Sequence, residues 1–225
     1  MTTPNYPAIF EVSVPDAFLP RLTRRVEKAY KRAHTLSHKL PAPQASNLLP
    51  FYRCCLLDTE VSGLATGLGM TVTTPKSKRG GWFYMQVASG RVVLTVAHAG
   101  SPAGFPRDSK FRQTLAKSSQ PSLHPMFDDD QSDELLLYAI LITAANPADK
   151  SLVWFANIRF PLNDYSGWAE GSIDLMTRYP SASAAKRSFA EEERIENELL
   201  GNLREDAVEK RKAETDEQKR EDNQA

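Results

Sequence analysis

The chain has 225 residues, 25% of them charged, 41% hydrophobic and 9% aromatic, with 28 basic and 28 acidic side chains. That length holds one moderate domain and a tail, and the composition is that of a soluble globular protein. No apolar run reaches the ~18–20 residues of a membrane helix, the N-terminal MTTPNYPAIFEV has no secretory pattern, and the two cysteines, Cys54 and Cys55, are adjacent, which excludes a disulfide framework. A reducing cytoplasm is the expected location.

The formal charge of zero conceals a division. Residues 1–125 hold 16 Lys+Arg against 6 Asp+Glu, and residues 126–225 hold 12 against 22. Either the halves neutralise each other in the fold, or the basic half meets a polyanion.

Residues 1–15 read as an extended lead-in, with Pro4, Pro7 and Pro15 opposing helix and Ala8 to Val14 forming an edge strand. Asp16 to Leu40 then reads as one amphipathic helix, N-capped by Asp16, with Pro20 in its first turn and PAP at 41–43 ending it. Its apolar stripe is Leu19, Leu22, Val26, Ala29, Ala33, Leu36 and Leu40, and its outer face carries Arg21, Arg24, Arg25, Lys28, Lys31, Arg32 and Lys39. A second helix is expected from about Ala45 or Pro50 to Leu68, with Leu48, Leu49, Tyr52, Leu56, Val61, Leu64 and Leu68 inward and Gly69 as the C-terminal glycine. Cys54 and Cys55 fall inside it as buried, unreactive thiols. The 41–47 link is longer than a helix-turn-helix turn.

The pattern then turns to β. Strands are expected over Met70–Thr74, Trp82–Ala88 and Arg91–Ala97, the last two joined by a tight Ser89-Gly90 turn. The loop 98–108 leads to a short helix over 109–117, and 118–133 is a polar loop. Leu135 to Ala144 and Leu152 to Phe160 pair as a further antiparallel hairpin, and 173–179 closes the fold. From residue 184 the chain is rich in Glu, Lys and Arg with sparse apolar contacts, a solvated helix fraying towards its end. The expected architecture is therefore α+β, with two N-terminal helices packed on a mainly antiparallel sheet of about five strands. Residues 1–183 form the globular domain and 184–225 a charged, partly helical or disordered tail.

Catalytic and metal motifs are scarce. There is no CxxC, HExxH or zinc-finger spacing. His34 and His38, four apart, lack a third ligand and belong to the polar face. The acidic run 128–134 lacks the glycine and terminal glutamate of a calcium loop. GLATGLG at 63–69 sits between a helix and a strand, the reverse of the order that a dinucleotide or P-loop fingerprint requires. The strands carry almost no carboxylates, against a metal-dependent nuclease. No cofactor or metal is expected. His98, at the end of a strand and the start of a Gly/Pro loop, is the one histidine placed as a catalytic base would be, with Arg107, Asp108 and Glu60 as possible companions.

The basic residues form a more consistent set. The first helix contributes Arg21, Arg24, Arg25, Lys28, Lys31 and Arg32. The glycine turn adds Lys76, Lys78 and Arg79, and the loop and short helix add Arg107, Lys110 and Arg112. Phosphate neutralisation uses Lys and Arg reaching out together from helices and loops, and Trp82, Phe83 and Tyr84 beside the basic turn offer rings for stacking. A cytoplasmic regulatory protein follows, its basic body on nucleic acid or another polyanion and its tail on a protein partner. This layout resembles that of bacterial antitoxins and small regulators, in architecture and not in motif. The alternatives are a protein–protein module without nucleic-acid affinity and a small enzyme centred on His98. Arg21, Arg25, Lys28 and Arg32 then face either an external polyanion or Glu191 to Glu209 of the tail.

Overall fold

The computed structural model describes residues 4–76, 83–118 and 136–180. It opens with three helices, not two: α1 (Tyr6–Ser13), α2 (Phe18–Ser37) and α3 (Ala42–Gly67). The expected edge strand over 8–14 is α1 instead. Asn5 accepts the Ala8 N–H at 3.2 Å, Pro7 lies in the first turn, where its missing N–H has no acceptor to lose, and Phe10 and Val14, four apart, are buried. Prolines that read as breakers start a helix here.

In α2 the predicted stripe goes under at Leu19, Leu22, Val26, Ala29 and Ala33, joined by Phe18 and Tyr30. Ala17, not Asp16, is the N-cap, and the helix stops at Ser37, leaving Leu36 exposed. The next helix follows after residues 38–41 alone, because Pro41 and Pro43 sit at and just inside the start of α3. The long link is thus absent, and with it the length argument against a helix-turn-helix. The second helix of the pair, however, commits Leu57, Val61, Leu64 and Ala65 to the core. The first half of α3 packs far less: Leu48 and Phe51 are exposed, as are Cys54 and Cys55, contrary to the expectation of buried thiols. Gly69, at φ +76°, takes the left-handed position just past the helix end.

Six strands follow: β1 (Thr71–Thr73), β2 (Gln86–Ser89), β3 (Val92–His98), β4 (Leu137–Ala145), β5 (Val153–Pro161) and β6 (Trp168–Asp174), neighbours in space in the order of the chain. The β2–β3 hairpin turns at Gly90 and pairs Ser89 with Val92 and Val87 with Leu94, as expected of a Ser-Gly turn. All neighbours are antiparallel except β3 and β4, which run parallel over Val92–His98 and Leu137–Thr143. Their crossover contains α4 (Lys110–Lys117). The sheet is therefore mixed and six-stranded. The extra strand, β6, is WAEGSID, buried only at Ala169 and Ile173, so its sequence signal is weak. The expected closing element at 173–179 is the end of β6 followed by the short α5 (Leu175–Arg178).

Strand alternation sorts the core onto two faces. On β4, Leu137, Ala139 and Leu141 meet the α1–α3 side with Phe10, Leu22, Val26, Leu57, Leu64, Leu94 and Ile158. Tyr138, Ile140 and Ile142 meet the opposite side with Ala97, Ala116, Phe155 and Tyr165. Gly171, at φ +86°, lets α1 approach β6, since a Cβ there would fall 2.9 Å from Pro7. Arg178 grips Glu11 bidentately and ties α5 to α1. Among the described residues no helix is long and apolar enough to cross a membrane. The domain boundary at 183, the tail helix, Trp82 and the acidic run 128–134 lie outside the described residues.

Candidate functional site

The β2–β3 ladder ends at Val87 and Leu94, whereas β3 continues to His98 against β4. Among the described residues, Thr95 to His98 thus have no strand on the β2 side. The chain that would have filled this place, Phe83 to Met85, turns to β1 instead: Tyr84 donates its N–H to Pro75 O at 3.2 Å, and Phe83 bridges Lys76. The result is a notch in the sheet at the C-terminal end of a parallel pair, the place where crossover sheets leave room for ligands.

A cavity of about 320 Å³ fills the notch. Cys54 and Asp58 of α3 line one side, Phe83, Tyr84 and Met85 another, Thr95 to His98 the floor, and Ser109, Phe111 and Arg112 the far wall. A second cavity of about 200 Å³ lies against the same 83–85 segment and shares Asp58. Tyr84 stacks on Phe111 at 3.8 Å between ring centroids, joining two walls. The loop leading to α4 is pinned from below, Arg159 donating to Pro102 O at 3.1 Å and Trp168 Nε1 to Ala103 O at 3.3 Å.

The chemistry lies in four side chains. His98 Nδ1 is 3.3 Å from both Tyr30 Oη and Thr143 Oγ1, and Tyr30 Oη donates to Thr143 Oγ1 at 3.0 Å. This buried trio fixes the ring. Burial, above all, lowers the His98 pKa, and the nearby Arg53 charge acts in the same direction; His98 is neutral at pH 7. Burial raises the Asp58 carboxyl to about 6, opposed by the charge of Arg112. Although Cys54 keeps an exposed surface, the protein packed around its thiol, helped by the Asp58 charge, pushes it up to about 11, which removes it as a nucleophile at neutral pH. Arg112 donates to Val96 O at 3.3 Å and Arg107 O at 3.0 Å, covering the open edge of β3. Three polar atoms of the lining residues, His98 Nε2, Ser109 Oγ and Arg112 Nε, are buried without a hydrogen-bond partner. Each such atom costs about 1–3 kcal/mol if left unmet, so a polar occupant suits this cavity.

Compared with known proteins, the chain matches no family model, no curated protein and no solved structure. Its site is therefore read from its own residues.

The twelve basic residues singled out in the sequence fall into separate places. Arg21, Arg24, Arg25, Lys28, Lys31 and Arg32 lie on α2, with Arg21, Lys31 and Arg32 the exposed ones. Three of the six converge on Glu60 of α3, which is only 3% exposed: Arg25 at 2.9 Å, Arg32 at 2.8 Å and Lys28 at 3.6 Å. Sequence reasoning passed over Glu60 as an acid in this role, although it stands at helical spacing between Leu57 and Leu64, on the inward stripe. Of the rest, Arg112 forms part of the notch wall, Lys76 bridges the lining residue Phe83 through its backbone, Arg107 offers its carbonyl to Arg112, and Lys110 is exposed at the start of α4. Lys78 and Arg79 lie outside the described residues. His34 and His38 share one hydrogen bond at 2.9 Å between their Nε2 atoms, and no group of three metal-ligating side chains is found among the described residues.

Proposed function

We propose that the protein is a nucleic-acid-binding regulatory protein whose contact surface is the mouth of the notch, with the α2 cations in a secondary role. The observation that supports this reading is Phe83. Its ring is 64% exposed, it is paired with Lys76, and it stands at a cavity whose far wall carries Arg112, a cation in no salt bridge among the described residues. An exposed ring at a cavity that also carries a cation suits a single strand, the ring by stacking and the cation by phosphate neutralisation. Arg107 and Lys110, both exposed, extend the positive rim. On α2 the same residue types are partly neutralised by Glu60, which makes that face the weaker electrostatic partner.

Fluorescence anisotropy with a labelled single-stranded oligonucleotide tests the reading. Binding is expected at 50 mM salt and is expected to weaken steeply by 300 mM. Replacing Arg107 or Lys110 by Gln lowers the slope of log K against log salt by about one unit or less each. No binding at 50 mM salt overturns the proposal. A protein partner for residues 184–225 remains the companion proposal on sequence grounds, tested by loss of a co-purifying protein on deleting that segment.

A further inference from the structure

Building on the nucleic-acid reading, we infer that the notch is a pocket for one unpaired nucleotide, which enters past Phe83 with its base in the cavity and its phosphate at the Arg112 wall. Three independent features converge on this ligand class. The first is size and shape. A cavity of about 320 Å³ lies at the small end of the roughly 300–1,000 Å³ range of ligand sites, too small for a duplex and suited to a single planar group. The aromatic lining is the second. Phe83 at the mouth presents an exposed ring on which any base can stack, at about 1–3 kcal/mol per base, while Tyr84 and Phe111, stacked on each other with the Arg112 guanidinium over Phe111, form an aromatic side wall.

The third feature is the set of unmet polar atoms. His98 Nε2 and Ser109 Oγ are buried without partners, and Asp58 joins them as a carboxylate in no ion pair among the described residues. Both atoms are covered by protein at the cavity wall, so a small side-chain shift at His98 and Ser109 is what brings them, with Asp58, to a base edge once the base has left its stack. Arg112 Nε, the remaining orphan, lies on the helix-start wall, where cation and backbone N–H groups favour an anionic group. A purely apolar ligand would leave these atoms unsatisfied, and a simple inorganic anion would leave the aromatic lining unused. The open edge of β3 and the turning away of residues 83–85 create the space, so the pocket is a consequence of the strand register.

The experiment compares three probes on the full-length protein: a single-stranded oligonucleotide, a blunt hairpin duplex of equal charge, and a mixture of nucleoside monophosphates. The single strand is expected to bind at least tenfold tighter than the hairpin at equal salt, the monophosphates to compete with it, and Phe83→Ala to abolish the preference. Phe83 is exposed, so this variant keeps the fold. Ser109→Val, checked by its unfolding temperature, should weaken monophosphate competition without changing the salt slope. Equal affinity for strand and hairpin overturns the nucleotide pocket and leaves the wider nucleic-acid reading standing. Monophosphate binding that is sensitive to Phe83→Ala, with no binding of either oligonucleotide, overturns the wider reading and leaves the pocket. No binding of any probe overturns both.

Discussion

Asp58 and Glu60 stand two residues apart on α3 and meet opposite surroundings. Glu60 turns into the α2–α3 seam, where Arg25, Lys28 and Arg32 close around it. Asp58 turns to the notch, where Arg112 is near enough to oppose its raised pKa yet forms no salt bridge with it. The seam is a finished ion cluster. The notch holds a carboxyl, a cation and a neutral imidazole with unused bonding capacity. Charge alone does not distinguish the regions; what differs is whether each polar group has been answered by the fold. A saturated cluster serves stability, and an unsaturated one costs stability that a ligand can return.

The largest expected effect comes from opening the seam. Glu60→Gln keeps the side chain's shape and removes the charge that holds three cations together. Breaking a buried ion cluster from one side costs about 3–5 kcal/mol, and the partial exposure of the cations reduces this to about 2–3 kcal/mol. At about 2–4 °C per kcal/mol for a domain of this size, the midpoint of thermal unfolding should fall by roughly 4–12 °C. A fall of less than 1 °C would mean that the α2 cations do not depend on Glu60, and the contrast with the notch would collapse.

This contrast was only partly legible in the sequence. The α2 stripe from Leu19 to Ala33, the Ser-Gly hairpin, the C-terminal glycine at 69 and the buried run of β4 all follow from local periodicity and turn chemistry, and the structure has them. The basic face of α2 was equally visible, but its neutralisation was not, because Glu60 reads as one polar residue in a mostly apolar helix until α3 is laid against α2. His98 stood out by its position at a strand end; its partners Tyr30 and Thr143 come from elements 68 and 45 residues away. The notch was invisible for a similar reason. It depends on β3 outlasting β2 and on β4 running parallel, and neither ladder length nor strand direction is encoded in a strand's own residues.

Of middle size is the effect of loosening the floor of the notch. Tyr30→Phe removes a buried hydroxyl that bonds Thr143 and approaches His98, leaving the 3.3 Å contact between Thr143 Oγ1 and His98 Nδ1 to hold the ring with one partner fewer. A loss of about 1–2 kcal/mol is expected in urea unfolding, through the midpoint and not the slope. In the oligonucleotide assay, affinity should fall several-fold as the imidazole loses its fixed orientation. Unchanged affinity in this variant would show that His98 does not read the ligand, and that stacking and phosphate contacts alone hold it.

The smallest effect is the most diagnostic of the difference between the two carboxylates. Because burial raises the Asp58 pKa from 3.8 to about 6, the folded state holds a proton that the unfolded chain has already released between these values. Its contribution to stability is present at pH 4 and is lost as pH rises to 6 and above. Asp58→Asn has no such titration. The two proteins should therefore be nearest in stability at pH 4, with the variant gaining relative to the parent up to about pH 6.5 and remaining parallel to it beyond. With solvent access to the notch discounted, the relative gain is about 1 kcal/mol. Denaturation curves at pH 4, 5, 6 and 7 measure it. A difference that is flat with pH would mean that the notch does not desolvate Asp58, and the contrast between the two carboxylates would collapse.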